Sequence, residues 1–328
     1  MQAIGYNGTT FTTFEKDLGT PQGQDLLIDV KAISINPIDS KAKQGVESGG
    51  ELKILGYDCS GVVKAVGDSV SLFKVGDEVY YSGDLTRDGS NAEQQLVDER
   101  IVAIKPKFLD FSQAAALPLT SITAWESLFD RLKITQQDAN KTLLLIGAAG
   151  GVGSMAIQFS KQIIGMNVIA TASREASKTW CQDLGADIVL DHHNLAQQFK
   201  DQALKAPDFI LCMGVPDDYF QQMVEIINPQ GSICLLANAQ KSYDLNLLKA
   251  KSITLVWEMM FTRSMFQTTD MIEQHHLLTR VAMLVDQQKI TNITTQQLSP
   301  INVDNITKAH QIIEQGNMIG KLVIANSV

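Results

Sequence analysis

The stretch Thr142-Leu143-Leu144-Leu145-Ile146-Gly147-Ala148-Ala149-Gly150-Gly151-Val152-Gly153 constrains this chain more than any other. A continuous apolar run suits a parallel strand covered on both faces, and the glycines then let the backbone turn sharply into a helix. From Val152 onward, Val152, Ala156, Phe159 and Ile163 recur at helical spacing, which places Gln158, Lys161 and Gln162 on other faces. Free backbone N–H groups at such a helix start, with the positive end of the helix dipole, hold a pyrophosphate where side chains would be in the way. Ala149, Gly150, Gly151 and Val152 are the residues placed to do so; a strand-to-helix turn without a ligand is the alternative.

The dinucleotide fingerprint G-x-G-x-x-G is met only in part, because Ala148 stands where its first glycine would be, while Gly150 and Gly153 fill the other places. The next strand, Asn167-Val168-Ile169-Ala170-Thr171-Ala172, leads to Ser173-Arg174, where an NAD-type fold puts the carboxylate that binds the ribose hydroxyls. No carboxylate occupies that point. Ser173, Arg174 and, one turn on, Lys178 match the 2′-phosphate of NADP, which a carboxylate would repel; an ordinary basic helix start is the other reading.

A length of 328 residues predicts two domains, and 45% apolar composition supplies a core for each. The net charge of −9 and the lack of a basic stripe argue against a nucleic-acid partner. The opening residues lack a basic-then-apolar leader pattern, and no apolar run approaches membrane-spanning length, so a cytoplasmic protein is expected. Cys59, Cys181, Cys212 and Cys234 form no C-x-x-C pair and read as small core residues.

Up to about residue 115 the chain shows short alternating strands parted by glycine and aspartate turns, among them Leu26 to Ile33 and Ser60 to Val66, as in an all-β, barrel-like domain. Asn36-Pro37-Ile38-Asp39 starts a short helical piece. After about residue 120, strands near 142–147, 167–172, 188–191, 208–213 and 232–238 alternate with helices, including Arg174 to Leu184 and Tyr219 to Ile227, which implies a parallel doubly wound α/β sheet. Ser252 to Trp257 adds a strand, Met271 to Asp286 a long helix, and Gly320 to Ala325 a final strand.

Gly56-Tyr57-Asp58-Cys59-Ser60-Gly61-Val62-Val63, Val66-Gly67-Asp68, Phe73-Lys74-Val75-Gly76-Asp77-Glu78-Val79, Leu117-Pro118-Leu119-Thr120, Thr123-Ala124-Trp125, Leu184-Gly185-Ala186-Asp187 and Gly320-Lys321 together resemble the medium-chain dehydrogenase/reductase superfamily. The resemblance implies a GroES-like β-rich catalytic domain over 1–121 and 269–328 and a Rossmann NADP-binding domain over 122–268. Where the zinc alcohol dehydrogenases of that superfamily carry catalytic zinc ligands, this chain has Asn36, Tyr57 and Leu119, a poor set for zinc, and the cysteine-rich lobe of structural zinc is missing. No metal is therefore expected. The chain resembles the zinc-free quinone oxidoreductase and enone reductase branch, in which Asn-Pro-x-Asp is a usual motif.

That branch implies NADPH-dependent hydride transfer to a quinone or an α,β-unsaturated carbonyl, whose developing oxygen needs only hydrogen-bond donors and a proton. The acceptor is expected in the cleft between the domains, beside Asn36 and Tyr57. Tyr57 is the candidate proton or hydrogen-bond donor, or else a packed tyrosine with its hydroxyl at the surface. Asp39 orients Asn36 or caps the helix. By resemblance Thr120, Thr123, Asn317 and Lys321 approach the cofactor, Lys321 being alternatively a surface lysine. The stretch Trp257 to Phe266 walls the acceptor pocket or belongs to core or interface, and the Ser252 to Trp257 strand pairs with its copy in a homodimer. The pairs His192-His193 and His275-His276 are read as solvated or interfacial, since neighbouring side chains in regular structure point to different faces. His310 shows no partner in the sequence. A cofactor-binding sensor or structural protein with little turnover is the competing function, and a zinc alcohol dehydrogenase the third.

Overall fold

A computed structural model describes residues 1–326. The first segment holds strands β1 (Gln2–Tyr6), β2 (Phe11–Glu15) and β3 (Asp25–Ser34), helix α1 (Pro37–Gln44), then β4 (Lys53–Ile54), β5 (Asp58–Val66), β6 (Glu78–Ser82), β7 (Gln94–Asp98) and β8 (Val102–Ile104). Helices α2 (Phe111–Ala115) and α3 (Pro118–Trp125) follow. Strands and helices then alternate: β9 (Thr142–Ile146), α4 (Gly151–Phe159), β10 (Asn167–Thr171), α5 (Glu175–Asp183), β11 (Ile188–Leu190), α6 (Leu195–Asp201), β12 (Phe209–Cys212), α7 (Phe220–Ile226), β13 (Ser232–Leu235) and β14 (Thr254–Trp257). Helices α8 (Thr262–Met265) and α9 (Glu273–Asp286), strand β15 (Thr294–Leu298), helix α10 (Val303–Glu314) and strand β16 (Lys321–Ala325) complete the chain. No helix among the described residues is long and apolar enough to cross a membrane.

Two compact units result, Met1–Ile122 with Phe261–Val328, and Thr123–Met260. The first is the GroES-like unit. Its larger sheet runs β15-β16-β3-β5-β6-β8, with β7 also on β3, and its smaller sheet runs β2-β1-β4. The ten-residue β3 holds the larger sheet together because Leu26, Ile28 and Val30 all face the core while β5, β7 and β16 share its backbone. Pairing of β16 with β3 puts Val323 opposite Ser34, so the end of the chain lies beside the start of α1. That register brings Lys321 to Asn36 across most of the sequence.

The second unit is a Rossmann-type parallel sheet in the order β11-β10-β9-β12-β13-β14. Central β9 is buried at all five positions, as both covered faces require. The strand order reverses at β9, with β10 on one side and β12 on the other, and ligands of such parallel sheets bind beyond the carboxyl ends at that point. Helix α4 differs from expectation: Gln158, placed on an outer face by periodicity, is buried along with the rest of Gly153–Phe159. A central helix packed on every side loses the amphipathic pattern. Strand β14 starts at Thr254 because Ser252 takes a left-handed backbone, φ 51°. The four cysteines are unpaired and buried, and burial pushes each thiol up to about 12.

Candidate active site

In the second unit the candidate cofactor turn is the one after β9. Gly147 carries the left-handed conformation, φ 83°, and its N–H donates to Thr171 Oγ1 at 2.9 Å. The tight-turn glycine therefore precedes Ala148, which sits buried in the place the fingerprint assigned to it. The spacing is Gly147, Gly150, Gly153. A Cβ on Gly153 would lie 2.3 Å from the Ala148 carbonyl oxygen, so only glycine lets α4 approach the strand. A Cβ on Gly150 would meet nothing within 4 Å, although Gly150 is the N-cap of a buried helix. Open space at that point, with no side-chain cap on the leading N–H groups of Gly151 and Val152, fits a pyrophosphate.

Ser173 and Arg174 are exposed just beyond β10, the neighbour of β9, and Lys178 is half-buried one turn into α5. Ser177 fixes this start, its hydroxyl donating to the Arg174 carbonyl at 2.7 Å. Thr120 turns its hydroxyl back onto the Ala116 and Leu117 carbonyls at 3.2 and 3.0 Å, while Thr123 is buried and Asn317 exposed.

In the first unit Asn36, Asp39, Asp58 and Lys321 converge, each at most 4% exposed. Asn36 Nδ2 donates to Asp58 Oδ2 at 2.8 Å, and the Lys321 ammonium donates to Asn36 Oδ1, to Asp58 Oδ2 at 3.2 Å and to the Ile35 carbonyl at 3.3 Å. The Leu119 N–H donates to Asp58 Oδ1 at 2.7 Å. The Asn36 amide is thus committed within the protein. Asp39 accepts the Asn36 N–H at 2.7 Å as a helix cap. Its Oδ1 is buried with no hydrogen-bond partner among the described residues, and burial pushes the carboxyl up to about 7, against the pull of the Asn36 N–H. Burial also raises Asp58, with the Lys321 charge, the Asn36 amide and the Leu119 N–H pulling the other way.

Tyr57 precedes Asp58 and is 4% exposed, its ring 5.0 Å from that of Phe261 in an edge contact. Burial, then the carboxylates of Asp39 and Asp84, hold its phenol well above the usual tyrosine range. Its hydroxyl has no hydrogen-bond partner among the described residues. Met260 and Phe261 belong to the core, whereas Trp257, Met259 and Phe266 are exposed.

These residues do not fit a zinc ion. Of the three positions that by resemblance match zinc ligands, one offers an amide, one a phenol and one a leucine; the carboxylate bonded to that amide, Asp58, already has an ammonium beside it. Sequence reasoning missed Asp58, whose one signal was a carboxylate inside the apolar run that becomes β5. The surface-lysine reading of Lys321 is overturned by its burial, which the pairing of β16 with β3 produces. His310 also has partners: Ser40 Oγ lies 3.4 Å from Nδ1 and the Phe11 ring 5.0 Å away.

A GroES-like unit joined in sequence to a doubly wound sheet with a glycine turn at its switch point defines the class of nicotinamide-dependent oxidoreductases. Residues 22–107 match the alcohol dehydrogenase GroES-like domain and residues 151–275 the family described as zinc-binding dehydrogenase. The chain is 42% identical to a zinc-type alcohol dehydrogenase-like protein of Staphylococcus epidermidis, over 99% of both chains. It is 33% identical to a chloroplastic NADPH-dependent alkenal/one oxidoreductase of Arabidopsis thaliana, over 71% of this chain and 61% of that one. A Novosphingobium aromaticivorans structure described as an alcohol dehydrogenase superfamily protein superposes with a TM-score of 0.87 at 25% identity, over 99% and 98% of the chains. The chain belongs to the medium-chain dehydrogenase/reductase superfamily.

Proposed function

We propose that this chain is a zinc-independent, NADPH-dependent reductase of quinones or α,β-unsaturated carbonyls. The observation that carries the reading is the set at the positions that resemble a zinc site, Asn36, Tyr57 and Leu119, in which the Asn36 amide is already bonded to Asp58 and Lys321. An alcohol oxidation would need a Lewis acid on the alkoxide, whereas an activated carbonyl needs only a donor at the oxygen where charge develops. The likeness to the alkenal/one oxidoreductase supports the same direction.

NADPH supplies the hydride when bound. The N–H groups from Ala149 to Val152 hold its pyrophosphate, Ser173, Arg174 and Lys178 its 2′-phosphate, and Thr120, Thr123 and Asn317 are further contacts. Tyr57 donates a hydrogen bond to the acceptor oxygen, its raised pKa keeping the proton on the phenol at neutral pH. Asn36, Asp39 and Lys321 are positioning residues: Asn36 and Lys321 bond Asp58, the residue after Tyr57, and Asp39 holds the backbone of Asn36. A homodimer joined at β14 belongs to this reading, since β14 ends the sheet with Leu255 and Val256 half-buried and Trp257 exposed. Four buried, unpaired cysteines suit a reducing cytoplasm.

The test is NADPH consumption by chelator-treated protein against ortho-quinones, para-quinones and α,β-unsaturated carbonyls, with NADH in parallel. Turnover with NADPH is expected, and Arg174→Ala should raise the KM for NADPH far more than that for NADH. Silence across the panel alongside tight NADPH binding would favour the sensor; activity restored only by zinc would overturn the proposal.

A further inference from the structure

The loop between β11 and α6 gathers Asp191, His192 and His193 so that one ligand atom from each lies within 4.8 Å of the other two. Neighbouring histidines in a strand or helix diverge, the basis on which the pair was read as solvated. Here they lie in neither, and their ring centroids are 3.9 Å apart at an interplanar angle of 38°. The loop is held in this shape. Gln198 Nε2 donates to the carbonyls of Asp191 at 2.8 Å and His193 at 2.6 Å, and Gln198 Oε1 accepts the Asp191 N–H at 3.1 Å. Asn194 closes the turn with φ 51°, and Leu195 and Phe199 anchor the following helix in the core. His275-His276 contrast with this: they lie on α9, their rings are 5.6 Å apart, and His275 Nδ1 is engaged by the Val102 carbonyl at 2.7 Å.

We propose that Asp191, His192 and His193 form a surface site for a divalent first-row transition metal such as zinc or nickel, with its remaining coordination positions open to solvent. Two imidazoles and one carboxylate are the donor set that these ions prefer over magnesium or calcium. Bonds of about 2.1 Å in a tetrahedron separate donors by about 3.4 Å, so the spacing, with Asp191 and His192 half-buried and His193 exposed, asks for side-chain rotations rather than backbone movement. The hydrogen bond between His193 Nδ1 and Asp191 Oδ1, 2.6 Å, shows that the two groups already meet, and the ion replaces the shared proton. Zinc taken up by this protein then resides beside β11 and not beside Asn36.

Isothermal titration of the metal-free full chain with zinc, nickel and magnesium tests the proposal. Zinc and nickel are expected to bind one per chain and magnesium not at all. His192→Ala with His193→Ala should weaken zinc binding at least tenfold, while His276→Ala leaves it unchanged. Cobalt should give visible absorption with the wild type that the double variant loses. No one-to-one binding by the wild type, or undiminished binding by the double variant, would overturn the site.

Discussion

A tyrosine whose ring is buried and whose hydroxyl has no protein partner leaves that hydroxyl to bond something other than the protein. Tyr57 is such a residue, whereas its neighbour Asn36 spends every polar atom of its side chain on Asp58, Ser34 and Lys321. The contrast separates roles that the sequence assigned jointly to both. Tyr57→Phe should lower turnover about 10- to 100-fold and leave the Kd for NADPH within about twofold, measured by steady-state kinetics and by fluorescence titration. Unchanged turnover with several acceptors would remove Tyr57 from the site.

Among the elements, the turn between β9 and α4 makes two opposite demands on its glycines. Gly153 is closed against the Ala148 backbone and Gly150 faces open space. Gly153→Ala should therefore destabilise the second unit by about 1–3 kcal/mol, seen as a lower melting temperature, since the backbone must shift to admit the methyl group. Gly150→Ala should leave the melting temperature nearly unchanged and weaken NADPH binding several-fold. Equal effects of the two on melting and on binding would show that the open space is not a ligand's place.

For the molecule as a whole, the buried acids of the first unit tie stability to pH. The folded pKa of Asp39 lies near 7, above its ordinary value of 3.8, with Asp58, Lys321, Asn36 and Tyr57 around it. Below about pH 4 both folded and unfolded chains hold the proton. Between about 4 and 7 the unfolded chain releases it and the folded chain retains it, so stability falls as pH rises through this window and levels off above 7. Asp39→Asn keeps an acceptor for the Asn36 N–H without ionising. Urea unfolding followed by circular dichroism should show the variant gaining about 1–3 kcal/mol on the wild type between pH 5 and pH 8. A constant difference across that range would refute the assignment.

The class of fold and the glycine turn were legible because they rest on local signals: the apolar run of β9, the glycines after it, and the alternation of strand and helix from residue 142 to 257. Helix starts were equally readable, as the Asn36-Pro37-Ile38-Asp39 cap shows. Burial of Gln158 was not, because α4 is enclosed on all sides and its periodicity carries no record of that. Nor was the pairing of Asp58 with Lys321, two residues 263 positions apart that meet only through the register of β16 on β3 and β3 on β5. The same holds for His192 and His193, whose convergence depends on Gln198 bending an irregular loop. Sequence alone determined which segments form strands, helices and the glycine turn, since those follow from neighbours along the chain. Which polar side chains share a buried charge, and which meet in one loop, was decided by sheet register and loop closure, since those contacts join residues that the chain itself keeps far apart or points apart.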